Sequence, residues 1–192
     1  MTRQLEFDES EALTAAMHAF RRRGYSGVSI KTLEAETGLS SGSIYNSFGS
    51  KDAVFGRVLH HYNDTVVEKR IAEHLDGAEP TEGLISLFES LLDEPDDRAF
   101  GCLLTNSAVE FAGPDTIASV EIRRGFDRFL SAFGAILMNV PDANPDAVQN
   151  TSLRLLAYYQ GLLVLIRHGY DKAALRDTIK SEIKVITGDL DA

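Results

Sequence analysis

At 192 residues, 44% hydrophobic and with a single cysteine, the chain is long enough to bury a core, too apolar for a disordered segment and unable to close an intrachain disulfide. Its formal charge of -10 argues against indiscriminate binding to polyanions, which it repels at long range. No apolar run approaches membrane-spanning length, and the acidic opening MTRQLEFDESEAL lacks the order of a secretory signal, so a cytoplasmic protein is expected.

The whole chain reads as helix. Leu13, Ala16, Met17 and Phe20 recur at helical spacing, and Gly24 stops that segment. Ser29 suits the N-cap of a second helix carrying Ile30 and Leu33, which Gly38 ends at a position favouring the left-handed conformation. Ser40 or Ser41 caps a short third helix through Phe48. A longer helix from Lys51 to about His74 places Val54, Val58, Leu59, Tyr62 and Val66 on its inner side. Asp76 to Thr81 reads as a linker. Beyond it, Leu84, Leu87, Phe88, Leu91 and Leu92 form an apolar face that Pro95 interrupts, with Asp96 and Asp97 read as caps. Gly101 to Phe111, a long segment centred on Phe126–Leu137, Asp146 to His168, and a last helix capped by Asp171 complete the series. No strand alternation or internal repeat is found, so the fold class is all-α with about nine helices.

Ser29 to Phe48 has the layout of a helix-turn-helix. Gly38-Leu39-Ser40 makes the turn, Ile44 and Phe48 face inward, and the second helix offers small and polar side chains. Such a surface approaches a major groove closely: Asn46 suits adenine, and the serines suit bases or phosphates. Tyr45 and Lys51 are long enough to reach the backbone. From Ala12 to Lys51 there are five basic and two acidic residues, so this end is basic within an acidic chain. On residue pattern alone, a plain helical hairpin with a solvated polar face stands as the alternative.

The stretch FRRRGYSGVSIKTLEAETGLSSGSIYNSFGSKDAVF resembles the DNA-binding domain of the TetR family of bacterial transcriptional repressors. Phe20, Gly24, Tyr25, Ser29, Ile30, Leu33, Gly38, Leu39, Ser40, Ile44, Tyr45, Phe48, Ser50 and Lys51 carry the likeness. The combination FDESEAL, SIYNSFGSKDAVF and GCLLTNSAVEF is similar to one subgroup. The resemblance implies a DNA-binding domain over residues 1–51 and a ligand-binding and dimerisation domain over 52–192. It implies a ligand-responsive repressor that binds a palindromic double-stranded operator as a homodimer and is released by a small molecule. The DNA contacts expected are Ser29, Lys31, Thr32, Ser40, Ser41, Gly42, Ser43, Tyr45, Asn46 and Lys51, with Tyr45 and Lys51 on phosphates. Glu34 and Thr37 stand where alanines are common in the family, and Ser47 replaces a frequent histidine.

Two apolar stripes suit a four-helix dimer interface: Leu153, Leu156, Tyr159, Leu163 and Ile166 on one helix, and Ile179, Ile183 and Ile186 on the next. Burial inside one subunit is the alternative. Phe88, Phe100, Phe111, Phe126, Phe129, Phe133 and Tyr158 are candidates to line a ligand cavity, with simple core packing the more economical reading for most of them. Cys102 begins an apolar helix, where a thiol is either activated toward electrophiles or packed as a small hydrophobe. If it is a sensor, Cys102→Ser abolishes induction by electrophiles. No metal site is expected: His60 and His61 are adjacent and point apart, and no CxxC or HxxxH spacing occurs. No cofactor motif occurs, nor GxSxG, P-loop, GxGxxG or HExxH, so an enzyme is disfavoured. A helical small-molecule-binding protein without DNA binding is the other alternative.

Overall fold

The computed structural model describes residues 7–93 and 100–188. The acidic Glu6 and the Pro95 break with Asp96 and Asp97 lie outside that range. Among the described residues the secondary structure is helical, with no strand. The helices are α1 (Glu9–Arg23), α2 (Ile30–Thr37), α3 (Ser41–Phe48), α4 (Lys51–Tyr62), α5 (Glu68–Leu75), α6 (Pro80–Glu89), α7 (Leu103–Phe111), α8 (Ser119–Leu137), α9 (Pro145–Arg167) and α10 (Lys172–Gly188). A π-helical turn, Asn63–Val67, joins α4 to α5 without a break. The single long helix expected from Lys51 is therefore present, with one wider turn inside it.

Local chemistry sets the boundaries. Asp8 caps α1 by accepting the N–H groups of Ser10 and Glu11. Ser40 caps α3, Ser50 caps α4 and Asn144 caps α9. Asp171 accepts the Ala173 N–H at the start of α10, as its position predicts. The segment read as a linker is shorter than expected. Pro80 and Thr81 already belong to α6, because Glu79 accepts the Glu82 N–H as N-cap and Pro80 occupies a first-turn position that needs no donor. Similarly, α7 begins at Leu103 rather than Gly101, with Cys102 in extended conformation as its N-cap residue.

The chain divides into two compact units. The first comprises residues 1–65 and 102–122, the second 66–101 and 123–192. In the first, α1 packs on α2, α4 and α7. Phe20 and Phe55 meet edge to face at 4.8 Å in its core, beside fully buried Ala19, Leu33, Val58 and Leu59. In the second, α6 packs on α5 and α10, and α9 on α10. Gly83 allows the close approach there: a Cβ at that position would lie 2.8 Å from that of Ala78 and 3.0 Å from the His74 carbonyl oxygen. No helix among the described residues is long and apolar enough to cross a membrane.

Candidate functional site

The first unit presents the helix-turn-helix as the sequence predicts. Leu33 of α2 and Ile44 of α3 are buried, and Gly38 adopts the left-handed conformation (φ 71°, ψ 3°) that turns the chain between them. The serines and threonines at this turn hold the backbone. Ser29 Oγ accepts the Thr32 N–H at 3.1 Å, and Thr32 Oγ1 accepts the Ser29 N–H at 3.3 Å, completing a reciprocal cap on α2. Ser40 Oγ accepts the Ser43 N–H at 3.2 Å and lies 3.0 Å from the Ser43 hydroxyl. Thus Ser29, Thr32, Ser40 and Ser43, all expected to contact DNA, are joined in local hydrogen bonds that shape the two helices.

The outward face of α3 is Gly42, Tyr45, Asn46 and Ser47, with Tyr45 52% exposed. Ser41 is half-buried at the start of that helix, and Lys31 is exposed on α2. Lys51 begins α4 with its ammonium 3.9 Å from the centroid of the Tyr25 ring. The structure thus brings Gly42, Tyr45 and Asn46 onto one short helix face. Apart from the Tyr45 ring, this face is small and polar, and it carries no carboxylate, as close approach to a groove lined by phosphates requires.

Two of the three departures from the family pattern, Glu34 and Thr37, acquire structural roles. The Ser41 N–H donates to Glu34 Oε1 at 2.6 Å, so a carboxylate from α2 ties down the first turn of α3 at the positive end of its dipole. Thr37 Oγ1 donates to the Leu33 carbonyl and accepts the Leu39 N–H, fastening the turn from within. Ser47 is exposed on the outward face of α3.

Residue spacing gave no sign of a second set of contacts. Glu110 of α7 accepts the N–H groups of Tyr25 at 2.8 Å and Ser26 at 2.7 Å. Burial opposes its charge, but the bonds from Ser26 and Tyr25 and the nearby Lys51 outweigh burial and hold the carboxyl below its ordinary range. The Tyr25 hydroxyl donates to Asp52, which, with burial, pushes the phenol up to about 12. These groups are 27 to 85 residues apart in sequence, and only the fold reveals their contact.

The residues expected to line a ligand cavity are distributed between the units. Phe88, Phe129 and Phe133 are fully buried in the second unit. Phe88 stacks on Tyr158 at 5.5 Å and meets Tyr159 at right angles at 5.3 Å, while Phe129 lies 4.8 Å from Tyr159. Phe126 and Phe100 are half-buried. Phe111 belongs to the first unit, against Tyr25 at 5.0 Å and Phe55 at 5.5 Å. Cys102, also in the first unit, is 5% exposed, and its sulfur accepts the Tyr62 hydroxyl at 3.4 Å. The second unit also carries an open groove of about 630 Å³, lined by Leu130, Gly134, Pro145, Val148, Ser152 and Leu153.

Of the residues assigned to a dimer interface, Leu156, Tyr159, Leu163, Ile166, Ile179, Ile183 and Ile186 are buried within this chain, and Leu153 is 58% exposed. Both α9 and α10 have a second stripe that faces outward: Leu153, Ala157, Gly161 and Val164, and Ala174, Thr178, Ser181 and Val185. Val164 and Val185 are 55% and 57% exposed. Helical spacing shows that two such faces exist, but not which one the rest of the chain covers.

Residues 12–58 match the family model for bacterial regulatory proteins of the tetR family. The chain is 27% identical over 157 residues to the HTH-type transcriptional repressor DhaR of Mycobacterium sp. (strain GP1), covering 77% of this chain and 76% of that one. It superimposes on a TetR-family transcriptional regulator from Streptomyces coelicolor with TM-score 0.82 at 17% identity, covering 95% of each chain. It also superimposes on a cysteine mutant of the regulator CifR complexed with 26 bp double-strand operator DNA, with TM-score 0.78 at 22% identity, covering 98% of this chain and 100% of that one.

Proposed function

We propose that this chain, whose residues 12–58 match the tetR family model, is a ligand-responsive repressor that binds a palindromic operator as a homodimer through α3 and leaves it when a small molecule binds. The observation that carries the reading is the capped α3, with Gly42, Tyr45 and Asn46 on its open face and Lys51 immediately after it. Asn46 is the candidate reader of a base edge. Tyr45 and Lys51 are the candidate phosphate contacts, and the hydroxyls of Ser29, Thr32, Ser40 and Ser43 preorganise the two helices. Two-fold symmetry then presents two such helices to successive turns of the major groove.

The exposed stripes of α9 and α10 supply the dimer face in this reading. Leu153, Val164 and Val185 give it apolar area, and Ala157, Gly161, Ala174 and Ser181 let backbones approach closely. The inducer site is assigned to the second unit, which has both the aromatic cluster and the groove beside Leu153. The enclosed sulfur of Cys102 favours a non-covalent ligand over an electrophile.

Selection of bound DNA from a genomic library, followed by footprinting, tests the proposal. The expected result is a two-fold symmetric protected site with half-sites about one helical turn apart. Recovery of no preferred sequence would overturn it. Lys51→Ala is expected to weaken binding by a similar factor on all sequences and to lower the slope of log affinity against log salt by about one per subunit. A changed sequence preference would place Lys51 on a base instead.

A further inference from the structure

We infer that Glu110 is a positioning residue for DNA binding: from α7 it clamps the turn between α1 and α2 and, through Tyr25, sets the place of the Lys51 ammonium. The inference rests on the DNA-binding reading above. The clamp is built from two successive backbone N–H groups, those of Tyr25 and Ser26, each donating to a different oxygen of one carboxylate. Such a pair of amides forms a small anion-binding concavity, and here a side chain of the same chain fills it.

Gly24 supports the arrangement independently. Its φ of 70° and ψ of 173° lie in a region essentially restricted to glycine, and a Cβ there would sit 2.9 Å from Glu110 Oε2. Backbone conformation and the approach of the carboxylate thus both call for glycine.

From the clamp the geometry continues to Lys51. The Tyr25 ring packs against both Phe55 and Phe111, each 5.0 Å away, and its hydroxyl is held by Asp52. Its face carries the Lys51 ammonium at 3.9 Å. A lysine on an open surface samples many rotamers, and DNA must freeze them at a cost in affinity. Here the ring restrains the ammonium beforehand, and the ring's backbone is anchored by Glu110. The residue that fixes this lysine therefore comes from a helix outside the three that resemble a DNA-binding domain.

The test uses the full chain and the duplex selected by the wild type. In Glu110→Gln, the amide of the new side chain opposes one backbone donor. The Tyr25 and Ser26 amides are expected to lose hydrogen-exchange protection, affinity to fall about tenfold, and the salt slope to fall by about one per subunit. Added to Lys51→Ala, Glu110→Gln is expected to cause no further loss, because both act through one contact. Tyr25→Leu keeps the backbone clamp and removes the ring; it is expected to retain amide protection and still lose the slope. The inference is overturned if Glu110→Gln frees the amides but keeps the wild-type slope, or if its effect adds in full to that of Lys51→Ala. A purely structural Glu110 would lower the melting temperature and give that same unchanged slope. A wild type that selects no duplex overturns the DNA-binding reading itself, and hydrogen exchange still reports on the clamp.

Discussion

The Leu153→Glu, Val164→Glu double variant is expected to elute as a monomer and to lose about a hundredfold or more in operator affinity. Both side chains are more than half exposed on α9, so within one chain the change falls on surface already in water. Surface substitutions of this kind alter a subunit's own stability by about 0.5 kcal/mol or less. In a dimer that buries this stripe, four carboxylates would enter an apolar contact with no partner, which is far more costly. Operator binding falls with the dimer because the second half-site contact is then no longer intramolecular, and such linkage contributes about 10² to 10⁴ in avidity. Sedimentation or light scattering, read beside the melting temperature, checks the expectation. A variant that stays dimeric with unchanged DNA binding would place the interface elsewhere. The same substitution at Leu156 or Leu163 gives no such separation, since both are buried in the chain's own core and the subunit itself would unfold.

Phe88→Ala is expected to lower stability by about 3–5 kcal/mol, the range for removing a buried aromatic ring. Phe88 is fully buried and is ringed by Phe133 at 6.1 Å, Tyr158 at 5.5 Å and Tyr159 at 5.3 Å. Truncation removes those ring contacts together with the buried area. Phe88→Leu keeps most of the volume and is expected to cost less. Urea unfolding with the slope held common across variants measures both. A loss of under 1 kcal/mol for alanine would mean that the surroundings of Phe88 are loosely packed, as in an open ligand cavity, and would move the cluster from core to binding site.

Several features were legible from residue order because they depend on neighbours in the chain. The Ser29 cap, the left-handed Gly38, a serine cap on α3 and the inward Ile44 all arise within one or two helical turns. The helical class and the boundaries of α2 and α3 follow from them. Boundaries were less exact where the N-cap residue is not one of the usual hydroxyl, Asp or Asn types, as at Glu79 and Cys102.

By itself, then, the sequence determined that the chain is helical, that α2 and α3 form a helix-turn-helix, and which family its N-terminal segment matches. Those properties are written in short-range spacing, capping and a contiguous motif. Only the tertiary structure decided which apolar stripe of α9 and α10 faces outward, that Phe111 and Cys102 lie in the first unit while Phe88 and Tyr158 lie in the second, and that Glu110 grips the turn before Ser29. The physical reason is the same in each case. Burial and long-range hydrogen bonds depend on which distant segment covers a surface, and a local pattern shows that a face is apolar or a carboxylate present without naming its partner.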